Sequence, residues 1–304
     1  MIEILAFLLA PGVVPAFEPV QPPISDPVRE ASAQRDTMSL EEWLARFNEL
    51  GEGGDASALE MLGELYALGI TGVPRDPVRA CDYFEMAGNR RGDSLHSLAG
   101  CYHNGEGRTQ DDARARELYR QAIEAGYLTS LCGLGTMLVH GRGGPVNAEE
   151  GVALCRQAAE LGDKNAQTDL GGFLLTGQGV ARDPVEARLW LEEAGGQGQA
   201  NAAHLLGQIY TRGDGVGADH ERAAYWFRNA HAEGRVDSAW LLARSLLRMG
   251  YTQVDGEISI NPAMMRESVE FALIAAQHDP DPAIRIEAAA YAEAANQLIA
   301  SAGD

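Results

Sequence analysis

Apolar positions along the chain fall into paired helical stripes separated by glycine-rich loops, and the pairs recur. Leu62, Leu98, Leu134, Leu170 and Leu206 each stand four residues before Tyr66, Tyr102, Leu138, Leu174 or Tyr210. A spacing of four places both residues on one helical face. The loop that follows opens with Gly69, Gly105, Gly141, Gly177 or Gly213, a step of 36 residues taken four times. A fixed period of this size marks a repeat array, each unit two helices joined by a short loop.

The second helix of each unit carries small residues flanking bulky ones: Ala80 and Ala87 around Tyr83 and Phe84, Ala187 and Ala194 around Trp190 and Leu191, Ala223 and Ala230 around Trp226 and Phe227. Such a stripe reads as core. Asp76, Asp111, Asn147, Asp183 and Asp219 precede these helices as N-caps, their side chains free to accept an orphan backbone N–H. Pro77 and Pro184 suit the first helical position, and Glu150 and Glu186 suggest capping boxes. Gly63, Gly135, Gly171 and Gly207 follow the anchoring leucines inside the first helices. Glycine there costs about 1 kcal/mol relative to alanine, so the neighbouring helix is expected to pass too close for a side chain. On this reading the Arg212-Gly213-Asp214 tripeptide is a by-product of the repeat and not an integrin-type motif.

The ends depart from the pattern, as terminal repeats do. Ser39 with Glu42 opens a helix that matches the second half of a unit. A sixth unit starts at Arg235, with a longer loop from Gly250 to Ile260 and a restart at Asn261-Pro262. Three stretches are expected: residues 1–38, an apolar segment resembling a degenerate export signal followed by a proline-rich tether; 39–280, the repeat array; and 281–304, a C-terminal capping helix. The apolar run Ile4–Ala10 is too short to span a bilayer, so no stable membrane insertion is expected. The segment lacks the basic start of a secretory signal. The reading leans towards an exported protein, periplasmic or extracellular, over a cytoplasmic one.

A formal charge of −20, from 44 acidic and 24 basic residues, argues against nucleic acid, which requires a basic footprint. The four cysteines, Cys81, Cys101, Cys132 and Cys155, show neither C-x-x-C spacing nor a pairing repeated between units. Four cysteines allow three connectivities; free, packed thiols are the expectation.

The succession small-x-x-x-Leu-Gly-x-x-Tyr-x-x-Gly-x-Gly, then Asp-x-x-x-Ala-x-x-Trp-x-x-x-Ala-x-x-x-Gly, resembles the Sel-one-like repeat, a relative of tetratricopeptide repeats; Ala202–Gly234 carries nearly every position. The resemblance implies an all-α, right-handed helical solenoid that binds proteins or peptides as a non-catalytic scaffold or adaptor. Bacterial members of the family often serve in envelope regulation or assembly. A cysteine-rich branch binds or hydrolyses β-lactams, which gives an alternative reading as an enzyme.

No phosphate-binding G-x-x-x-x-G-K-[ST], H-E-x-x-H or G-x-S-x-G motif occurs, so neither catalysis nor a cofactor is expected. In tetratricopeptide-like stacking the first helices line the concave surface. Counting from each leucine places His96, His103, Cys132, Thr136, His140, Thr168, His204, Gln208, Thr211 and Arg212 on it. This is the candidate peptide groove of a monomer, with Glu60 and Glu64 towards one end and Arg212 and Arg248 towards the other. His96, Cys132 and His204 share a register and suit zinc or copper, which keeps a metal-binding groove as a further alternative.

Overall fold

The computed structural model describes residues 23–254 and 257–301; the expected apolar N-terminal segment lies outside them. The fold is all-α and repetitive, and the described residues form two compact units that divide between Leu161 and Gly162.

Unit one begins with α1 (Asp26–Ala33) and α2 (Leu40–Glu52), then sets three helix pairs: α3 (Ala56–Leu68) with α4 (Pro77–Ala87), α5 (Gly92–Asn104) with α6 (Asp112–Glu124), and α7 (Ser130–His140) with α8 (Ala148–Glu160). Part of the expected tether is therefore α1. Its Val28 and Ala31 are buried in the same core as Trp43 and Phe47 of α2, and the Trp43 indole N–H donates to the Ala31 carbonyl at 2.8 Å. Apolar burial recruits a segment whose composition reads as polar.

Unit two pairs α9 (Lys164–Thr176) with α10 (Pro184–Gly196), α11 (Ala200–Arg212) with α12 (His220–Ala232), and α13 (Ser238–Gly250) with α14 (Pro262–His278). The longer sixth loop is an antiparallel hairpin of β1 (Tyr251–Val254) and β2 (Glu257–Ile260) that pairs Tyr251 with Ile260. The last helix, α15 (Pro282–Ser301), buries Ala288, Ala292 and Ala295 in one cluster with Trp240 and Val269.

The glycines after the anchoring leucines have the expected cause. A Cβ on Gly63 would stand 2.3 Å from the Phe84 ring, and one on Gly207 2.5 Å from Phe227. Asp76, Asp111, Asp183 and Asp219 all accept backbone N–H groups at their helix starts. Asn147 does not cap; its amide donates to Glu150 at 2.5 Å. Glu186, the other expected capping-box partner, accepts the Trp190 indole N–H. The reciprocal box forms at Ser39 and Glu42.

The expectation of free thiols is overturned. Cys81 is bonded to Cys101 and Cys132 to Cys155, and no cysteine is free. The first bond ties α4 to α5, the next unit's first helix; the second ties α7 to α8 within one pair. Cys155 occupies the position held by Phe84, Tyr119, Leu191 and Phe227 in the other pairs. Gly151 replaces the alanine found one turn earlier. These smaller residues bring α7 and α8 together, so that a Cβ on Gly135 would stand 2.5 Å from the Gly151 carbonyl oxygen. The sulfur bridge fills the space that a ring, or Leu191, fills in the other pairs.

Candidate functional site

The ten residues placed on the first helices by counting divide into two sets. Those two positions before the leucine turn into the joint with the next repeat. His96 Nδ1 shares a hydrogen bond with the Ser130 hydroxyl at 2.9 Å, and His204 Nδ1 with Ser238 at 2.8 Å. At the same position the buried Glu60 accepts from the Ser94 hydroxyl. Each pair is separated by 34 residues. Cys132 and Thr168 hold this position without such a bond. Their successors in the next repeat, Ala166 and Ala202, lack a hydroxyl, Cys132 is in its disulfide, and Thr168 donates to the Lys164 carbonyl of its own helix. A polar residue two before the leucine is matched by serine 34 residues later wherever it is glutamate or histidine. That co-occurrence was readable in the sequence, and counting within single repeats overlooked it.

A second row runs along the starts of the first helices. Arg91 donates to Ser57 at 2.8 Å, Gln199 to Asn165 at 2.6 Å and Arg235 to Asn201 at 2.5 Å, each again across 34 residues. At the loops, Arg75 pairs with Glu106 and Arg182 with Asp214. The aspartate of the Arg-Gly-Asp tripeptide is thus engaged within its own unit. Between them these rows fix the angle at which successive first helices meet.

The joint residues are electrostatically constrained. Burial of Glu60 pushes its carboxyl up to about 8; the Ser94 hydrogen bond opposes this, and Asp93 and Glu64 add to it. Burial drops the His204 imidazole to about 4, with Arg235 adding to the depression and Asp237 opposing it. The Gln208 side-chain amide donates to His204 Nε2 at 2.9 Å, which leaves the ring proton on Nδ1 for Ser238. Both nitrogens of a neutral ring are satisfied, and the joint is built for the uncharged form.

A pH dependence follows. The folded state disfavours the His204 proton that the unfolded chain accepts near 6.5, so the stability of this joint is complete above that value and falls as pH drops towards about 4. Glu60 has the opposite sign: its contribution is complete below about 4.5 and is lost as pH rises through about 8. We expect His204→Gln to flatten the loss of unit-two stability between pH 6.5 and 4, and Glu60→Gln to stabilise unit one at pH 8 but not at pH 4. Denaturant midpoints of each variant against the parent across pH check both; parallel curves would remove the assignment.

The second set faces outward. Thr136 and Gln208 are half-buried; His140, Thr211 and Arg212 are exposed. The Thr136 and Thr211 hydroxyls donate to carbonyls of their own helices, at 3.0 and 2.7 Å, and His140 engages the Thr136 carbonyl at 2.8 Å. These groups present acceptors and apolar edges more than free donors. His103 lies beside the loop, its Nδ1 2.8 Å from Asp112. Arg244, two positions past the sixth leucine, is exposed on the same face as Arg248; counting on the altered sixth unit would have found it. Among the described residues no group of three or more histidine, cysteine, aspartate or glutamate side chains is placed to hold a metal ion, and no helix is long and apolar enough to cross a membrane.

Comparison with known proteins matches the five helix pairs from α3 to α12 to one repeat family. The Sel1 repeat model matches residues 56–90, 92–127, 129–163, 164–199 and 200–234. A search of curated proteins finds no match. Among solved structures, a Sel1 repeat protein from Oxalobacter formigenes is similar at 23% identity and a TM-score of 0.66, over 85% of this chain and 100% of that one. A protective antigen present in uropathogenic Escherichia coli strains, displaying an SLR fold, is similar at 26% identity and a TM-score of 0.60, over 78% of this chain. The match covers 49% of that protein's length.

Proposed function

This chain belongs to the Sel1 repeat family, and on that premise we propose that it is a non-catalytic scaffold holding a protein or peptide on the outward faces of its first helices. One observation carries the reading. The joint residues Glu60, His96 and His204 are consumed in fixing repeat to repeat, while Thr211 and Arg212 on α11 and Arg248 on α13 are left at the surface and Gln208 is half-buried beside them. A frame with such rigid joints holds a binding face at little entropic cost on association. The β-lactam-directed alternative belongs to a branch with paired cysteines in each repeat, whereas here one helix pair, α7 with α8, is bridged within itself. The bridges support a working place in an oxidising compartment, in keeping with export and a role in the bacterial envelope.

A partner captured from envelope fractions of the native organism should bind Gln208→Ala/Thr211→Ala at least about tenfold more weakly than the parent, roughly 1.4 kcal/mol. Arg188→Glu on the second helix α10 should change affinity much less. Calorimetric titration of each variant decides. A larger loss from Arg188→Glu would move the binding surface to the second helices.

A further inference from the structure

We infer that the outward face of α11 and α13 receives a carboxylate-rich, extended peptide segment of the partner; the inference rests on the scaffold reading above. The chain carries 44 acidic residues, yet neither α11 (ANAAHLLGQIYTR) nor α13 (SAWLLARSLLRMG) contains one. Their charges are Arg212, Arg244 and Arg248, all exposed.

Five other arginines of unit two are neutralised locally. Arg182 pairs with Asp214, Arg188 with Glu192, Arg222 with Asp219, Arg228 with Glu267 and Arg235 with Asp237. Even the acids nearest the face are committed: Asp214 and Asp237 flank α11 and α13, and both are held by arginines of their own joints. Among the described residues, no carboxylate pairs with Arg212, Arg244 or Arg248. Arg266 and Arg285 also lack a carboxylate partner among the described residues, but each is the single arginine of its helix; Arg212, Arg244 and Arg248 stand together on successive first helices, a cluster suited to an outside anion.

The spacing indicates its form. Arg244 and Arg248 are one helical turn apart on α13. Arg212 holds the position on α11 that Arg248 holds on α13, 36 residues on. Packed helices lie roughly 8–10 Å apart. An extended chain advances about 3.3 Å per residue, so carboxylates two or three residues apart on a crossing peptide meet successive arginines. Guanidinium binds carboxylate in a two-pronged geometry. The bulk negative charge repels such a segment at a distance, but screening confines that field to about 10 Å at 0.1 M salt, and at contact the local arginines decide.

The probe is a fluorescein-labelled hexaglutamate peptide, titrated by anisotropy with the full-length protein. We expect binding that weakens as salt rises, and at least a tenfold loss in Arg244→Gln/Arg248→Gln. Arg266→Gln, at an arginine of the second helix α14 with no carboxylate partner among the described residues, should alter affinity less than twofold. Arg244→Glu/Arg248→Glu should lose hexaglutamate and gain a hexalysine peptide, an exchange that misfolding would not produce. Absence of hexaglutamate binding overturns the inference, as does equal loss in Arg266→Gln. Tighter binding of an oligothymidylate of equal charge would reassign the face to phosphate polyanions. Self-association of the parent that Arg244→Gln/Arg248→Gln abolishes would reassign it to a second copy of the chain. If the captured partner binds Arg244→Gln/Arg248→Gln at full strength yet is lost by Gln208→Ala/Thr211→Ala, the acidic-segment inference falls while the scaffold reading stands.

Discussion

Reduction with dithiothreitol should loosen unit one and leave unit two as it was. All four cysteines lie between residues 81 and 155, inside the unit that ends at residue 161. The bridges close loops of 20 and 23 residues that do not overlap. On the loop-entropy model each constrains the unfolded chain by about 3 kcal/mol. Because the loops are separate, the two contributions are expected to add to a large share of a typical domain's total of about 5–15 kcal/mol. Cys132→Ser/Cys155→Ser should have about half the effect of full reduction, plus the loss of packing against Gly135 and Gly151. Hydrogen exchange resolved to α7 and α8 against α11 and α12 reads the outcome: protection should fall in the first pair and persist in the second. Equal loss in both, or none, would mean that the bridges do not constrain the native array.

Much of the fold was legible before the structure. The 36-residue step of the loop glycines, the aspartate caps and the alanine-flanked aromatics each had one helical reading, and each is where that reading put it. Those signals are local or periodic, and a repeat array turns local signals into global ones. The disulfides escaped because the two bridges use different registers: Cys81 reaches forward to the next repeat's first helix, whereas Cys155 reaches back within its own pair. A search for one recurring pairing could not see two unrelated ones. The proposed binding face was legible only in part. Counting assigned residues to the first helices correctly, but a helix in an array has one side towards its neighbour and another towards solvent, and counting does not tell them apart. His96 and His204 fall on the first side, Thr211 and Arg212 on the second, and Gln208, bonded to His204, lies between them. The missing information was the partner 34 residues ahead, and serine at 94, 130 and 238 supplied it.

The sharpest test of how tightly the repeats dock is a glycine series in unit one. Gly126, Gly63 and Gly143 differ in what a methyl group would meet. Gly126 has φ +87° with no neighbouring atom within 4 Å, so Gly126→Ala incurs only the left-handed backbone penalty, about 1–2 kcal/mol. Gly63 lies inside α3; its Cβ would stand 2.3 Å from the buried Phe84 ring. Overpacking of about 1–3 kcal/mol is offset there by about 1 kcal/mol of helix propensity. Gly143 combines both problems. Its φ is +71°, and its Cβ would lie 2.1 Å from the Asp112 carbonyl oxygen and 2.7 Å from Ala113 N. These are backbone atoms at the start of α6 in the preceding repeat, and Asp111 caps that helix. A ring can tilt away; a capped helix start cannot move without breaking its own hydrogen bonds. The loop of the repeat before it is seated in the same way, for Gly107 stands against the Pro77 carbonyl just as closely, at 2.1 Å. Gly143→Ala should therefore destabilise unit one by more than about 3 kcal/mol, the range reserved for severe core disruption, and more than either of the others. Urea midpoints for the three variants give the order directly. Were Gly143→Ala no worse than Gly126→Ala, backbone strain alone would account for the loop glycines, and the docking of loop onto preceding helix would not be what holds one repeat to the next.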